Sequence, residues 1–310
     1  MEINKEKTFV SVVAYLRNDL EHLPGFLETV FELFEANFDK YEIIFVNDHS
    51  TDGSLAIIDD FASKHHVSVA IVNMSYYQGL ESSMKAGVDL AIGDFVYEFD
   101  TIEIDYNPQI IIDIYHEALK DIDNVRARAM SKKKASSHLF YRLFNRYSNT
   151  KGKLTSETFR IISRRAINRV DSLFSTVPYR KAALASCGLK TKIVDYSPIK
   201  KIRTTMKGRK YRFKTGFNSL ILFSDIFYRF SIFMSLFMMI STIGVGIYVI
   251  VMFLNNVPIA GWTSSMLFQS AAFFGIFILF AVLTKYLSLI LELSFKKQDY
   301  LVESIKKINK

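Results

Sequence analysis

Residues 41–54 read Tyr41-Glu42-Ile43-Ile44-Phe45-Val46-Asn47-Asp48-His49-Ser50-Thr51-Asp52-Gly53-Ser54. The run Tyr41–Val46 is β-branched and aromatic, which predicts a strand. Asn47–Gly53 is a polar turn, and a helix is predicted from Ser54 to Lys64. Working outward, Phe9–Ala14 predicts an earlier strand, followed by a helix over Leu23–Phe38 with apolar residues at 26, 27, 30, 31 and 34. Downstream come a strand at Ser68–Asn73, a helix across Gly79–Ala91, and a strand at Phe95–Phe99 that ends on Asp100. Strands alternating with helices at this spacing imply an α/β domain with a mostly parallel sheet covered on both faces. Ligands bind beyond the carboxyl ends of such strands. Asn47, Asp48, Asp52 and Asp100 are therefore the first functional candidates.

Charge is spread unevenly along the 310 residues, whose formal net charge is +8. Charged residues occur throughout residues 1–229 and then nearly vanish until Lys285. Lys200, Lys201, Arg203, Lys207, Arg209, Lys210, Arg212 and Lys214 crowd ahead of the apolar region, and Lys296 and Lys297 follow it. Basic clusters flanking apolar runs point to anionic lipid headgroups and a membrane surface, not to nucleic acid. Phe230–Leu254 and Val257–Thr284 carry no charge, and each exceeds the roughly 20 residues that cross a bilayer as a helix. The short link Asn255–Pro258 makes them a hairpin, and the flanking Lys and Arg place both termini in the cytoplasm. Trp262 has the position of an interfacial aromatic. Tyr211–Phe227 reads as an amphipathic helix lying on the headgroups, as does a helical tail over Lys285–Lys310. The boundaries are thus 1–210 for the α/β domain, 211–229 for the connector, 230–284 for two spans and 285–310 for a basic cytoplasmic tail. Met1–Lys7 is charged and no signal peptide is expected. Cys187 is the only cysteine, which excludes an intramolecular disulfide and fits a small buried residue.

Several short motifs in order resemble family 2 glycosyltransferases with the GT-A fold. Val46-Asn47-Asp48-His49-Ser50-Thr51-Asp52-Gly53-Ser54 is similar to the "V-D-D-G-S-x-D-G-T" signature. Gln78-Gly79-Leu80, Ala86-Gly87 and Ala91-Ile92-Gly93-Asp94 resemble "N-x-G…A-G…A-x-G-D". Phe159-Arg160-Ile161-Ile162-Ser163-Arg164-Arg165 resembles "F-R-L-M-S-R-R", and Gly261-Trp262-Thr263-Ser264 matches the "G-W-T-S" that opens the second span. The resemblance points to the branch that moves a sugar from a UDP- or GDP-sugar onto a polyprenyl phosphate such as undecaprenyl phosphate, similar to dolichyl-phosphate mannose synthases. It implies an inverting enzyme at the cytoplasmic face of the inner membrane, and homo-oligomers assembled through the membrane helices.

The same resemblance implies roles for particular residues. Asn47, Asp48, Asp52, Gly79, Asp100 and Arg165 fall in the nucleotide-sugar site, with Asp48 accepting from a base N–H and Asp52 bracing the turn. A divalent cation, Mg2+ or Mn2+, is held in the family by an Asp-x-Asp pair at the end of the fourth strand. Asp100 matches its first member, but Ile102 occupies the second. Three arrangements stay open: Glu98 completes the pair, Glu103 or Asp105 turns in from the following loop, or the site has no metal. Thr158 stands where relatives carry an Asp, and the neighbouring Glu157 is either its substitute or a capping or solvated residue. Arg160, Arg164 and Arg165 match phosphate-binding arginines, and a contact from at least one is expected. Asp100, Glu157, Arg160 and Arg164 form the expected catalytic set. Lys132–Lys134, Arg142 and Arg146 lie in a stretch resembling the family's basic "F-Y-R-L-x-N". The loss of Ile102's and Thr158's acidic counterparts also supports two alternatives: a non-catalytic scaffold binding nucleotide sugar or a partner enzyme, and a transferase with another acceptor.

Overall fold

The computed structural model describes residues 5–65, 67–130, 135–148, 152–174, 179–199, 216–218, 224, 226–255, 261–295 and 300–308. The Lys200–Lys214 cluster, Lys132–Lys134, Lys296, Lys297 and most of the expected connector lie outside those residues. The chain divides into two compact units. One comprises 1–145, 150–216 and 297–310, the other 146–149 and 217–296.

The first unit is built on an eight-stranded sheet. In chain order its strands and helices begin with β1 (Val10–Leu16), α1 (Leu23–Asn37), β2 (Tyr41–Asn47), α2 (Ser54–His65), β3 (Val69–Met74), α3 (Leu80–Leu90) and β4 (Phe95–Phe99). These seven agree with the predicted elements to within two residues at each end. Next are α4 (Gln109–Ala118), β5 (Asn124–Ala129), α5 (Ala135–Tyr147), β6 (Phe159–Ser163), α6 (Arg164–Leu173), α7 (Arg180–Ser186) and β7 (Thr191–Tyr196). The strand order is β7-β5-β6-β4-β1-β2-β3-β8, where β8 is Val302–Ile308. β1 pairs in parallel with both β2 and β4, so the order reverses between β1 and β4 and opens a crevice at their carboxyl ends. β6 is inserted antiparallel between β4 and β5.

Alternation along the strands builds two cores. Val10, Val12, Ala14 and Leu16 of β1 pack with Phe26, Val30 and Phe34 of α1 and with α2 and α4 on one face. Val13 joins Ile44, Val46, Met84 of α3 and Ile167 of α6 on the other. α3 lies so close to the sheet that a Cβ at Gly87 would come within 2.5 Å of Val13 Cγ1 and Val46 Cγ2. Only glycine permits that approach. Cys187 is buried in the same core, as its residue type suggested.

The tail corrects the sequence reading. Val302–Ile308 is not part of a helix but an edge strand antiparallel to β3. Its alternation of Val302, Ser304, Lys306 and Ile308 with Glu303, Ile305 and Lys307 suits a strand at least as well as a helix, and the unpaired edge of β3 takes it up.

The second unit holds α8 (Ile226–Leu254) and α9 (Trp262–Phe295). Arg229–Met252 of α8 is, among the described residues, the one helix long and apolar enough to cross a membrane, and α9 carries a shorter apolar stretch, Ala271–Leu287. Ile232, Phe233, Phe237, Ile240 and Ile247 of α8, and Phe273, Phe277 and Phe280 of α9, are exposed. So large an exposed apolar surface marks a site of interaction with a membrane or another protein. The two helices touch through Met238 and Gly275.

Candidate active site

The turn after β2 is held by its own side chains. Asn47 donates Nδ2–H to Asn73 Oδ1 at 2.9 Å and accepts from Ser50 N at 2.9 Å. Asp52 accepts from Ser54 N and Oγ at the start of α2 and from Leu20 N, so it braces the turn as expected. Asp48 is fully buried. Its carboxylate accepts from Tyr15 OH at 2.7 Å, Gln78 N at 2.8 Å and Gly79 N at 2.9 Å. The expectation that Asp48 meets the base therefore gives way to a structural one: it fastens the β3–α3 loop to the end of β2. Burial first, then the Asp48 charge, pushes the Tyr15 hydroxyl far above its ordinary range, so it stays a donor. Gly79 adopts φ 88°, ψ 166°, a region essentially closed to other residues. Arg17 caps this corner, donating to Asp48 O at 2.6 Å and stacking 3.8 Å from the Tyr77 ring.

At the end of β4 lies a buried cluster of charges on the α3 face of the sheet. Strand register creates its first row, because Glu98 of β4 faces Arg160 of β6, which faces Arg126 of β5. Arg160 is 2% exposed and places Nε 2.7 Å from Glu98 Oε2 and Nη1 3.0 Å from Glu157 Oε1. Arg180, at the start of α7, completes a second row. It donates N and Nε to Glu81 of α3, Nη1 to Glu98, and Nη2 to Asp100 Oδ1 at 2.8 Å. Lys181 Nζ lies 3.4 Å from Asp100 Oδ2 and 3.6 Å from Glu157 Oε1. Four carboxylates thus meet four cations, with Arg126 at 3.9 Å from Glu157 the loosest contact. Burial alone would raise the Asp100 carboxyl, but Lys181, Arg180 and Arg160 hold it well below the usual carboxylate range. Burial opposes the charge on Arg180 and Lys181 too, yet their carboxylate neighbours keep both more basic than usual.

Sequence reasoning brought Asp100, Glu98, Glu157 and Arg160 to this site and missed Arg180, Lys181, Glu81 and Arg126. The Arg180-Lys181 doublet was the available signal, but nothing local says that it is buried against residues some 80 positions earlier. Arg164 and Arg165 do not join the site. β6 runs antiparallel to β4, so Phe159 sits beside Phe99 and Ser163 beside Phe95. The two arginines therefore lie at the opposite end of the sheet, about 13 Å away at ~3.3 Å per residue. Arg164 there donates to the carbonyls of Ala91 and Gly93, and Arg165 pairs with Asp121 and Asp123. Thr158 shares a hydrogen bond with Tyr196, whose hydroxyl donates to buried Asp105 at 2.8 Å.

The residues present do not fit a divalent cation. Ile102 is buried in the core, and the charge of Glu103 bears on His22. Glu98 is enclosed by Arg160 and Arg180, and both Asp100 oxygens face cations. Among the described residues no three His, Cys, Asp or Glu side chains are arranged to hold a metal ion. An ion on Asp100 would lie near the two cations already there, each unit of charge repelled by about 4 kcal/mol at 4 Å and an effective dielectric of ~20.

This is a GT-A-type α/β domain, with its charged site where the strand order reverses. Residues 10–101 match the family model for glycosyl transferase family 2. It is 28% identical over 195 residues to a prophage bactoprenol glucosyl transferase homolog of Escherichia coli (strain K12), covering 60% of this chain and 62% of that one. It is 36% identical over 101 residues to an undecaprenyl-phosphate 4-deoxy-4-formamido-L-arabinose transferase of Proteus mirabilis, covering 32% and 29%. The chain thus spans about three fifths of the length of the first of these relatives. The fold is similar to a mannosyltransferase from Pyrobaculum calidifontis solved with GDP-Man and Mn2+, at TM-score 0.51 and 12% identity, over 70% of this chain and 63% of that one.

Proposed function

We propose that the protein transfers a sugar from a UDP- or GDP-sugar to a polyprenyl phosphate, such as undecaprenyl phosphate, at the cytoplasmic face of a membrane. The observation that carries this reading is the union, in one chain, of a match to the glycosyl transferase family 2 model and an exposed apolar helix of membrane length. The relatives named for bactoprenol and undecaprenyl phosphate support the same acceptor class.

In this reading the donor occupies the crevice between β1 and β4. Its nucleoside lies over the corner of Arg17, Tyr77 and the loop fastened by Asp48, and its diphosphate approaches the Asp100–Lys181 edge of the cluster. A phosphate oxygen of the lipid attacks the anomeric carbon while the bond to the nucleotide's β-phosphate oxygen breaks, its electron pair leaving with the nucleoside diphosphate. The single displacement inverts the anomeric centre. The acceptor is already an anion, so no side chain must remove a proton from it, which fits the absence of an acid at Thr158.

Both α8 and α9 cross the bilayer in this reading. The chain leaves the α/β unit before α8 and returns to it after α9, since residues 297–310 belong to that unit. An even number of crossings is then required. α8 offers a largely apolar stretch of 24 residues, and the 17-residue stretch of α9 sits at the lower limit of about 17–25 for a span.

The test is incubation of the purified full chain with labelled UDP- and GDP-sugars and undecaprenyl phosphate. Label in the lipid fraction is expected. Nucleotide binding without transfer to any lipid would favour a non-catalytic scaffold, a reading that the neutralised Asp100 and Glu157 also admit.

A further inference from the structure

The donor's diphosphate departs with a charge that a cation must meet, and the carboxylates at the end of β4 do not suit a metal ion. We infer that Lys181, backed by Arg180, supplies this cation from the chain itself, so that nucleotide-sugar binding at Asp100 is independent of divalent metal. The inference rests on the donor site proposed above.

Three observations converge on Lys181. The first is access: the Lys181 and Asp100 side chains are 14% and 16% exposed, whereas those of Glu98, Glu157 and Arg160 are 3% or less. They form the open edge of the cluster at the carboxyl end of β4, where ligands of such sheets bind. The second is how the ammonium is held. Its contacts of 3.4 Å and 3.6 Å exceed the ~3.2 Å limit of a good hydrogen bond. Arg180, by contrast, is fixed at 2.8 Å to Asp100 and tied to Glu81 and Glu98 as well. A lysine is a mobile point charge with three donors, and a loosely held one can swing to an arriving phosphate while Arg180 keeps Asp100 neutralised. The third is charge balance. Four carboxylates and four cations leave no surplus negative charge to attract a dication, whereas an entering diphosphate brings the anion that Lys181 can meet. Asp100 then acts as a positioning residue that keeps Lys181 and Arg180 at the strand end.

The test is calorimetric titration of the detergent-purified full chain with UDP and with GDP, in EDTA and in Mn2+, for wild type, Lys181→Met and Lys181→Arg. The expected result is binding of one nucleotide with similar affinity in EDTA and Mn2+, weakened about tenfold or more in Lys181→Met and restored by Lys181→Arg. That rescue separates loss of charge from misfolding. Binding that appears only with Mn2+, or that is unchanged in Lys181→Met, overturns the inference while leaving the donor site intact. Binding of neither nucleotide under any condition overturns the donor site and the inference with it.

Discussion

Asp48 spends both carboxylate oxygens on Tyr15, Gln78 and Gly79, so its replacement strands three donors in a site closed to water. Asp48→Ala is expected to cost about 2–4 kcal/mol, since each orphaned buried donor costs roughly 1–3 kcal/mol and partial relaxation recovers some of it. Denaturant unfolding followed by circular dichroism would measure this, and a loss below about 1 kcal/mol would mean that the loop is held by other contacts. Asp100 allows a test in pH. Its carboxyl is depressed in the folded chain by Lys181, Arg180 and Arg160, against the opposing effect of burial. Its contribution is therefore complete above the unfolded value of about 3.9 and lost only as pH falls through the depressed folded value. The destabilisation caused by Asp100→Asn should be the same at about pH 5 and pH 8. A cost that shrinks toward the lower pH would show Asp100 titrating in that window. At this scale the sequence made Asp100, Asp48 and Glu157 visible, because acids at strand ends and turns stand out. It could not display their partners, since Arg180 becomes a site residue only when α7 folds against α3 and β4.

β8 ties the carboxyl-terminal tail to the loop that Asp48 holds. Gln78 donates Nε2–H to Leu301 O at 2.6 Å and accepts from Leu301 N at 2.9 Å, while Ser75 N also donates to Leu301 O. Asn73 reaches Ser304, and Lys306 grips both oxygens of Asp59. The side chain of Gln78 thus pairs like a strand residue. Gln78→Ala should speed amide exchange over residues 301–304 by about fivefold, the loss of roughly 1 kcal/mol of local protection, and should weaken nucleotide binding. Unchanged exchange would show that the β3–β8 ladder alone holds the tail. The seven elements from β1 to β4 were legible because each carries its own period, and their parallel order follows from alternation. β8 was not legible: its partner lies some 230 residues upstream, and a short basic segment after an apolar helix also fits a helical tail. The direction of β6 was equally hidden. That single antiparallel insertion sends Arg164 and Arg165 to the far end of the sheet, although in sequence they sit beside Arg160.

Residues 297–310 bring the chain back to the α/β unit after α9. The two crossings proposed for α8 and α9 predict that the link between them lies on the opposite side of the membrane from both ends. A cysteine introduced at Asn256 in a Cys187→Ser background should react with an impermeant maleimide on intact cells, and a fluorescent protein fused after Lys310 should fluoresce in the cytoplasm. Labelling only after permeabilisation would contradict the hairpin. The apolar runs were plain in the sequence because hydrocarbon imposes length and composition directly, whereas the return of the tail to the sheet was not. In the proposed reaction this architecture moves sugar onto lipid phosphate using cations of its own chain. Its most direct test is mass spectrometry of the lipid fraction after the purified full chain has been incubated with undecaprenyl phosphate, a panel of UDP- and GDP-sugars, and EDTA. A glycosylated lipid phosphate from at least one donor is expected in the presence of chelator. A product that forms only when Mg2+ or Mn2+ is restored, or no product from any donor, would contradict it.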